Sequence, residues 1–169
     1  MSGNISSVSF TMSDVNEKLS GLKTILHRAQ EYCAYQERCR FEVEQRLQLW
    51  GVDKERSHKI IVQLEKDNFI NDQRFAETFV RSKFRLKKWG KNKIAYDLRL
   101  KKIPDTLISQ CLQTIDEGEY QAAIKLLIAQ KSKELKEKDI FKKKQKTARF
   151  LISKGFESAL VFAILKISD

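Results

Sequence analysis

An apolar pattern that returns three times, at intervals of 51 and then 53 residues, constrains this chain more than any other feature. The stretch Val43-Glu44-Gln45-Arg46-Leu47, followed by Gly51-Val52 and Ile60-Ile61, aligns with Ile94-Ala95-Tyr96-Asp97-Leu98, Lys102-Ile103 and Cys111-Leu112. It aligns again with Thr147-Ala148-Arg149-Phe150-Leu151, Gly155-Phe156 and Ile164-Leu165. Repeats of this length are supersecondary units that bury their apolar faces by stacking on one another. Within a copy the spacing is helical. Val43, Leu47 and Trp50 stand at i, i+4 and i+7, and Ile60, Ile61 and Leu64 form a second stripe after a short turn. A further helix precedes each pair, over Asp14–Gln36, Asp72–Lys88 and Glu119–Lys136. With only six Gly and one Pro in 169 residues, the chain lacks the turn residues of an all-β protein. The expected fold is therefore all-α, three tandem three-helix, helix-turn-helix-like repeats over 14–70, 71–118 and 119–169, after a Ser-rich disordered tail at 1–13.

Local signals punctuate these helices. Asp53 is placed to cap the helix it precedes by accepting from free backbone N–H groups. Pro104 occupies the matching slot of the second copy, read as a first-turn proline with preset φ and no donor. Asn68 suits a left-handed residue at a helix end, Asn71 or Asp72 is placed to cap the next helix, and Gly118 is expected to close the sixth helix.

Charge is the second constraint. The net charge is +11, but residues 1–80 sum to −1, whereas 81–102 carry +9 and 131–149 carry +6. The first basic block is Arg81, Lys83, Arg85, Lys87, Lys88, Lys91, Lys93, Arg99, Lys101 and Lys102, interleaved with Phe84, Trp89 and Tyr96. The second is Lys142, Lys143, Lys144, Lys146 and Arg149, at the corresponding place in the third copy. Such side chains neutralise phosphates and release counterions. The density of the first block favours an anionic partner over a merely solvated helix face; for the second block the two readings stand level. Phe84 and Trp89 read first as packing residues, with base stacking as the minor alternative.

Other function classes find little support. The longest apolar run, Leu160 to Leu165, is far short of a membrane span, and residues 1–12 have neither the basic start nor the apolar block of a signal peptide. Cys33, Cys39 and Cys111 lack framework or zinc spacing, which suits reduced thiols in a cytoplasmic protein. His27 and His58 lie far apart, and Gly90-Lys91 lacks every other part of a phosphate-binding loop. No catalytic residue, metal or cofactor is expected.

The segment Asn68-Phe69-Ile70-Asn71-Asp72-Gln73-Arg74-Phe75-Ala76, followed by Phe79-Val80-Arg81-Ser82-Lys83, resembles the signature of the RecX family, bacterial regulators of the RecA recombinase. Trp89-Gly90 to Ile94, Leu98 and the Gly51-Val52-Asp53 turn extend the likeness over about residues 20–168. The chain departs from that pattern at Asn68 and Lys102, where the family has Gly, and in its long, Lys-rich 130–146 segment. The resemblance implies an elongated, curved array that lies as a monomer in the groove of a RecA–DNA filament. There it limits filament growth, strand exchange and ATP turnover, touching single- and double-stranded DNA through backbone phosphates. By position it assigns binding to Arg74, Arg81, Lys83, Arg85, Lys87, Lys88, Lys91 and Lys93, packing to Phe75 and Phe79, and capping to Asp72. The rival reading is a free-standing helix-turn-helix-like DNA-binding regulator. A base reader concentrates Arg, Asn and Gln on one recognition helix, whereas the third helix of the first trio, Lys54–Asp67, is mixed in charge and that of the second, Asp105–Asp116, has no basic residue.

Overall fold

In a computed structural model, residues 12–167 are described, with side chains from residue 21 onward. Nine α-helices and no strand occur among the described residues. They are α1 (Met12–Tyr35), α2 (Arg40–Leu49), α3 (Lys54–Lys66), α4 (Asp72–Lys87), α5 (Lys91–Leu100), α6 (Asp105–Gln113), α7 (Glu117–Glu134), α8 (Ile140–Ser153) and α9 (Ser158–Leu165). The first helix starts at Met12, two residues before the expected place, and the rest of the expected tail lies outside the described residues. The helices form two compact units, α1–α3 and α4–α9, which divide between Asn71 and Asp72.

The first unit is a three-helix core. Ala29 and Cys33 are the buried residues of α1, with Leu22, Ile25 and Leu26 partly buried beside them, and they cluster with Val43 and Leu47 of α2 and Ile60, Ile61 and Leu64 of α3. Asp53 caps α3 as its position implies, its Oδ1 accepting from the Arg56 N–H at 2.9 Å. Burial holds the Cys33 thiol in its neutral form, pushing its pKa to about 11.

In the second unit, α4, α5 and α6 pack pairwise on one another, α7 packs on α8, and α8 on α9. Leu47, Leu98 and Leu151, the same slot in the three copies, are all fully buried. The turn after each of these slots is closed in the same way. Gly51, Lys102 and Gly155 have φ of 75°, 59° and 92°. The N–H of the following Val52, Ile103 and Phe156 donates to the carbonyl of Leu47, Leu98 and Leu151 at 3.1, 3.1 and 3.2 Å. This is the Schellman arrangement, which satisfies carbonyls that a helix end leaves without partners. Asn68 also lies in the left-handed region, at φ 58°.

Two glycines join the halves of the second unit. The Gly90 N–H donates to the Lys154 carbonyl at 2.9 Å, and the Asn92 N–H donates to the Gly155 carbonyl at 3.0 Å. The turn before α9 thus caps the start of α5. A Cβ on Gly90 would stand 2.2 Å from the Gly155 carbonyl carbon, so the approach requires an absent side chain. Beside this contact Tyr120 of α7 is fully buried between Phe84 and Phe156, with ring centroids 5.8 and 5.2 Å away. Its hydroxyl accepts from the Lys91 N–H at 2.9 Å and donates to Glu157 Oε2 at 2.6 Å. Desolvation, then the Glu157 hydrogen bond, raises its pKa far above the usual tyrosine range.

Two local expectations are corrected. Gly118 does not close α6, which ends at Gln113 with Thr114 as its cap; Gly118 lies in the first turn of α7. The Asp116 carboxylate caps that helix by accepting from the Glu119 N–H at 2.8 Å, and a Cβ on Gly118 would stand 3.0 Å from it. Pro104 occupies the N-cap slot rather than the first turn, with φ −60° and ψ 140°. α4 begins at Asp72, which puts an acidic residue in its first turn, where it suits the helix dipole, with Asn71 just before it.

A candidate nucleic-acid interface

The first basic block, together with Arg74, is sorted by its surroundings into three groups. The most concentrated lies where α4 turns into α5. Lys88, just past α4, has φ 51°, and the Trp89 N–H donates to the Lys83 carbonyl at 3.1 Å. Trp89 is thereby folded back along the last turns of α4. The Lys83 ammonium sits 4.9 Å from the Phe79 ring centroid and 5.0 Å from that of Trp89. The Lys93 ammonium lies 4.5 Å from Trp89. The Lys101 ammonium, from the end of α5, lies 5.9 Å from both Phe75 and Phe79, whose own rings are 5.7 Å apart. Three lysines thus rest on one aromatic bed. Each such contact contributes about 0.5–1 kcal/mol at an exposed site and restricts a side chain that would otherwise be mobile. No carboxylate pairs with Lys83 or Lys93 among the described residues. The Lys83 and Lys93 ammonium groups both lie against the Trp89 ring and are N–H donors of the kind that suits phosphate oxygens. Phe84 is buried core, and Tyr96 is exposed.

The second group is held by acids. The Arg85 guanidinium lies 3.5 Å from Glu119, and the Arg99 guanidinium 2.7 Å from Asp105. Lys91 reaches Glu117 at 3.5 Å and covers the Tyr120 ring at 4.5 Å, while its own N–H bonds to the Tyr120 hydroxyl. Arg81, one turn before Arg85, lines a shallow groove with Arg85, Glu77 and Glu119. The third group stands at helix ends and surfaces. Lys87 and Lys102 are exposed, Lys88 and Arg74 are half-buried, and both Lys88 and Lys102 are left-handed.

The second block is divided likewise. Lys146 pairs with Glu137 at 2.8 Å, and the Lys144 ammonium donates to the Lys166 carbonyl at 3.2 Å. Lys142 and Arg149 are exposed and Lys143 half-buried.

Cation–aromatic contacts in the first unit escaped the sequence reading. Arg28 lies 4.1 Å from the Trp50 ring, and Arg38 and Arg46 lie 4.4 and 4.8 Å from that of Tyr32. A count of net charge hides them, because neighbouring carboxylates such as Glu42, 3.8 Å from Arg38, cancel the sum. Trp50 lies 22 residues after Arg28, and Arg38 and Arg46 lie 6 and 14 after Tyr32, so no i, i+4 spacing marks these contacts.

Among the described residues, no group of three or more His, Cys, Asp or Glu is arranged to hold a metal ion, and no helix is long and apolar enough to cross a membrane.

Comparison with known proteins places this chain in a family. Residues 71–112 match the model of the RecX second three-helix domain, and 117–165 that of the third. Regulatory protein RecX of Prosthecochloris aestuarii is 30% identical over 143 residues, covering 84% of this chain and 91% of the relative. Those of Clostridium botulinum and Oceanobacillus iheyensis are 36% identical over 129 residues and 30% over 152. There the match covers 74% and 87% of this chain but only 59% and 56% of the relatives, so the chain spans under two thirds of their length. In fold the chain is similar to a crystal structure of regulatory protein RecX, with a TM-score of 0.81, 20% identity, and 96% of this chain and 80% of that one covered. RecX from Lactobacillus salivarius gives 0.77, 23% identity, and coverage of 89% and 99%. The three-helix repeats, the matched domains and the full-length relative agree that this chain belongs to the RecX family of regulatory proteins.

Proposed function

We propose that this chain is a non-catalytic modulator of the RecA recombinase, which it reaches as a monomer in the groove of the RecA–DNA filament. Bound there, it limits filament growth, strand exchange and ATP turnover. The observation that carries this reading is the set of ring-supported ammonium groups, Lys83, Lys93 and Lys101, on a member of a regulatory family. Such a set takes up phosphate oxygens without reading bases, which fits contact with the backbone of single- or double-stranded DNA. The third helices support backbone contact over base readout. Neither α6 nor α9 has any Lys, Arg or His, and in α3 Arg56 and Lys59 are paired with Asp53 and Glu55 at 3.1 and 2.7 Å. The test is to titrate the protein into RecA assembled on single-stranded DNA and follow ATP turnover. The expected outcome is inhibition at stoichiometric or modest excess; unchanged turnover there refutes the proposal.

A further inference from the structure

The start of α8 carries an apolar pair with nothing packed over it. Ile140, Lys144, Thr147 and Leu151 stand at i, i+4, i+7 and i+11, one face of the helix. From Thr147 onward that face is buried, but Ile140 is 74% exposed, and its neighbour Phe141 is 56% exposed. They put two adjacent large apolar side chains on one exposed helical turn. The charge around them is one-sided. Glu134 is taken by Lys131 at 2.9 Å and Glu137 by Lys146 at 2.8 Å, and Asp139 accepts from the Phe141 and Lys142 N–H groups at 2.9 and 3.1 Å. Lys136, Lys138 and Lys142 are exposed, and no carboxylate pairs with them among the described residues.

We infer that the first turn of α8 is a docking site for an acidic protein segment that presents a large apolar side chain. The complement follows from the chemistry. Carboxylates answer the three lysines, and an apolar residue covers Ile140 and Phe141, removing them from water. A DNA backbone answers only the lysines and leaves both apolar side chains wet. A bilayer gains from a longer apolar face than one turn, and the rest of this face is buried. This inference rests on the filament reading above, in which the segment belongs to the recombinase rather than to the DNA.

The experiment compares the full chain with the I140S/F141S variant on three probes. These are a fluorescent single-stranded oligonucleotide, RecA assembled on the same oligonucleotide, and phosphatidylglycerol-containing vesicles. Both positions are exposed, so the variant is expected to keep the wild-type helical signal and melting curve. Filament affinity is expected to fall about tenfold, as for loss of an interfacial anchor, with affinity for the bare oligonucleotide unchanged within about twofold. Phe141→Leu, which keeps apolar bulk, is expected to retain most of the affinity that Phe141→Ser loses. Equal filament binding by wild type and double variant overturns the docking site alone. An equal loss on bare DNA overturns it in favour of a nucleic-acid contact, and vesicle binding that the variant loses overturns it in favour of a membrane contact. A wild-type chain that fails to bind the filament overturns both the filament reading and the docking role built on it.

Discussion

Replacing Gly155 with alanine probes the join between α5 and the turn before α9, and the repeat supplies its own control at Gly51. Both glycines close a helix in the left-handed region, at φ 92° and 75°. A side chain there costs about 1–2 kcal/mol. Stiffening of the unfolded chain returns about 0.4–1 kcal/mol. A Cβ on Gly51 meets nothing within 4 Å, so the net loss is about 1 kcal/mol or less. On Gly155 the same atom would stand 2.3 Å from Lys93 Cβ and 2.5 Å from the Lys93 nitrogen. The first turn of α5 must then back away by roughly 1 Å to restore ordinary contact, an overpacking cost of about 1–3 kcal/mol. That displacement strains the bonds from Gly90 and Asn92 to the Lys154 and Gly155 carbonyls. The summed expectation for Gly155→Ala is a loss of about 2–4 kcal/mol. The two tryptophans make the assay local, since Trp50 lies in the first unit and Trp89 in the second. Urea unfolding followed by fluorescence in a Trp50→Phe background reports the second unit. At an m-value of about 2 kcal/mol/M the midpoint is expected to fall by about 1–2 M. Gly51→Ala, followed through Trp50 in a Trp89→Phe background, is expected to shift its transition by about 0.5 M or less. A Gly155→Ala protein no less stable than this control refutes the close approach of the two turns.

The third member of the same slot predicts the opposite sign. Lys102 carries the left-handed strain that glycine avoids, so Lys102→Gly is expected to stabilise the second unit by about 0.5–1 kcal/mol after the entropy cost of glycine, measured by the same urea titration. Replacing Lys83, Lys93 and Lys101 together with glutamine is expected to lower duplex affinity and to reduce the slope of log K against log salt by about 2–3. An unchanged slope in fluorescence anisotropy shows that no phosphate meets these ammonium groups. Asp53 links the first unit to pH. The hydrogen bond from the Arg56 N–H, more than any other influence, lowers its carboxyl pKa below the ordinary value. Its contribution to stability is thus present above the usual aspartate range and lost as pH falls through the lowered value. Melting the Asp53→Asn variant, which keeps a cap but no titrating group, is expected to show a shallower acid loss than wild type.

The helices themselves were legible in the order of residues, because a helix is set by neighbours three and four positions apart. Leu47, Leu98 and Leu151 fill their expected core slots, and Asn68 and Asp53 serve the helix ends they mark. Where a local sign was ambiguous, the stronger neighbour decided. Gly118 reads as a stop signal, but the Asp116 carboxylate beside it starts a helix instead and includes the glycine. The candidate site was legible only as a quantity of charge. Arg85, Lys91 and Arg99 stand in the same dense run as Lys83 and Lys93, yet carboxylates hold the first three and aromatic rings support the other two. Glu119 and Glu117, which hold Arg85 and Lys91, lie 34 and 26 residues further along the chain, and no short-range pattern encodes such pairings. The amino-acid order by itself determined the helices, their repeat and the amount of positive charge, all consequences of local spacing and composition. Only the tertiary packing decided which of those charges lie beside a ring and which beside a carboxylate, because those neighbours are brought by a distant helix.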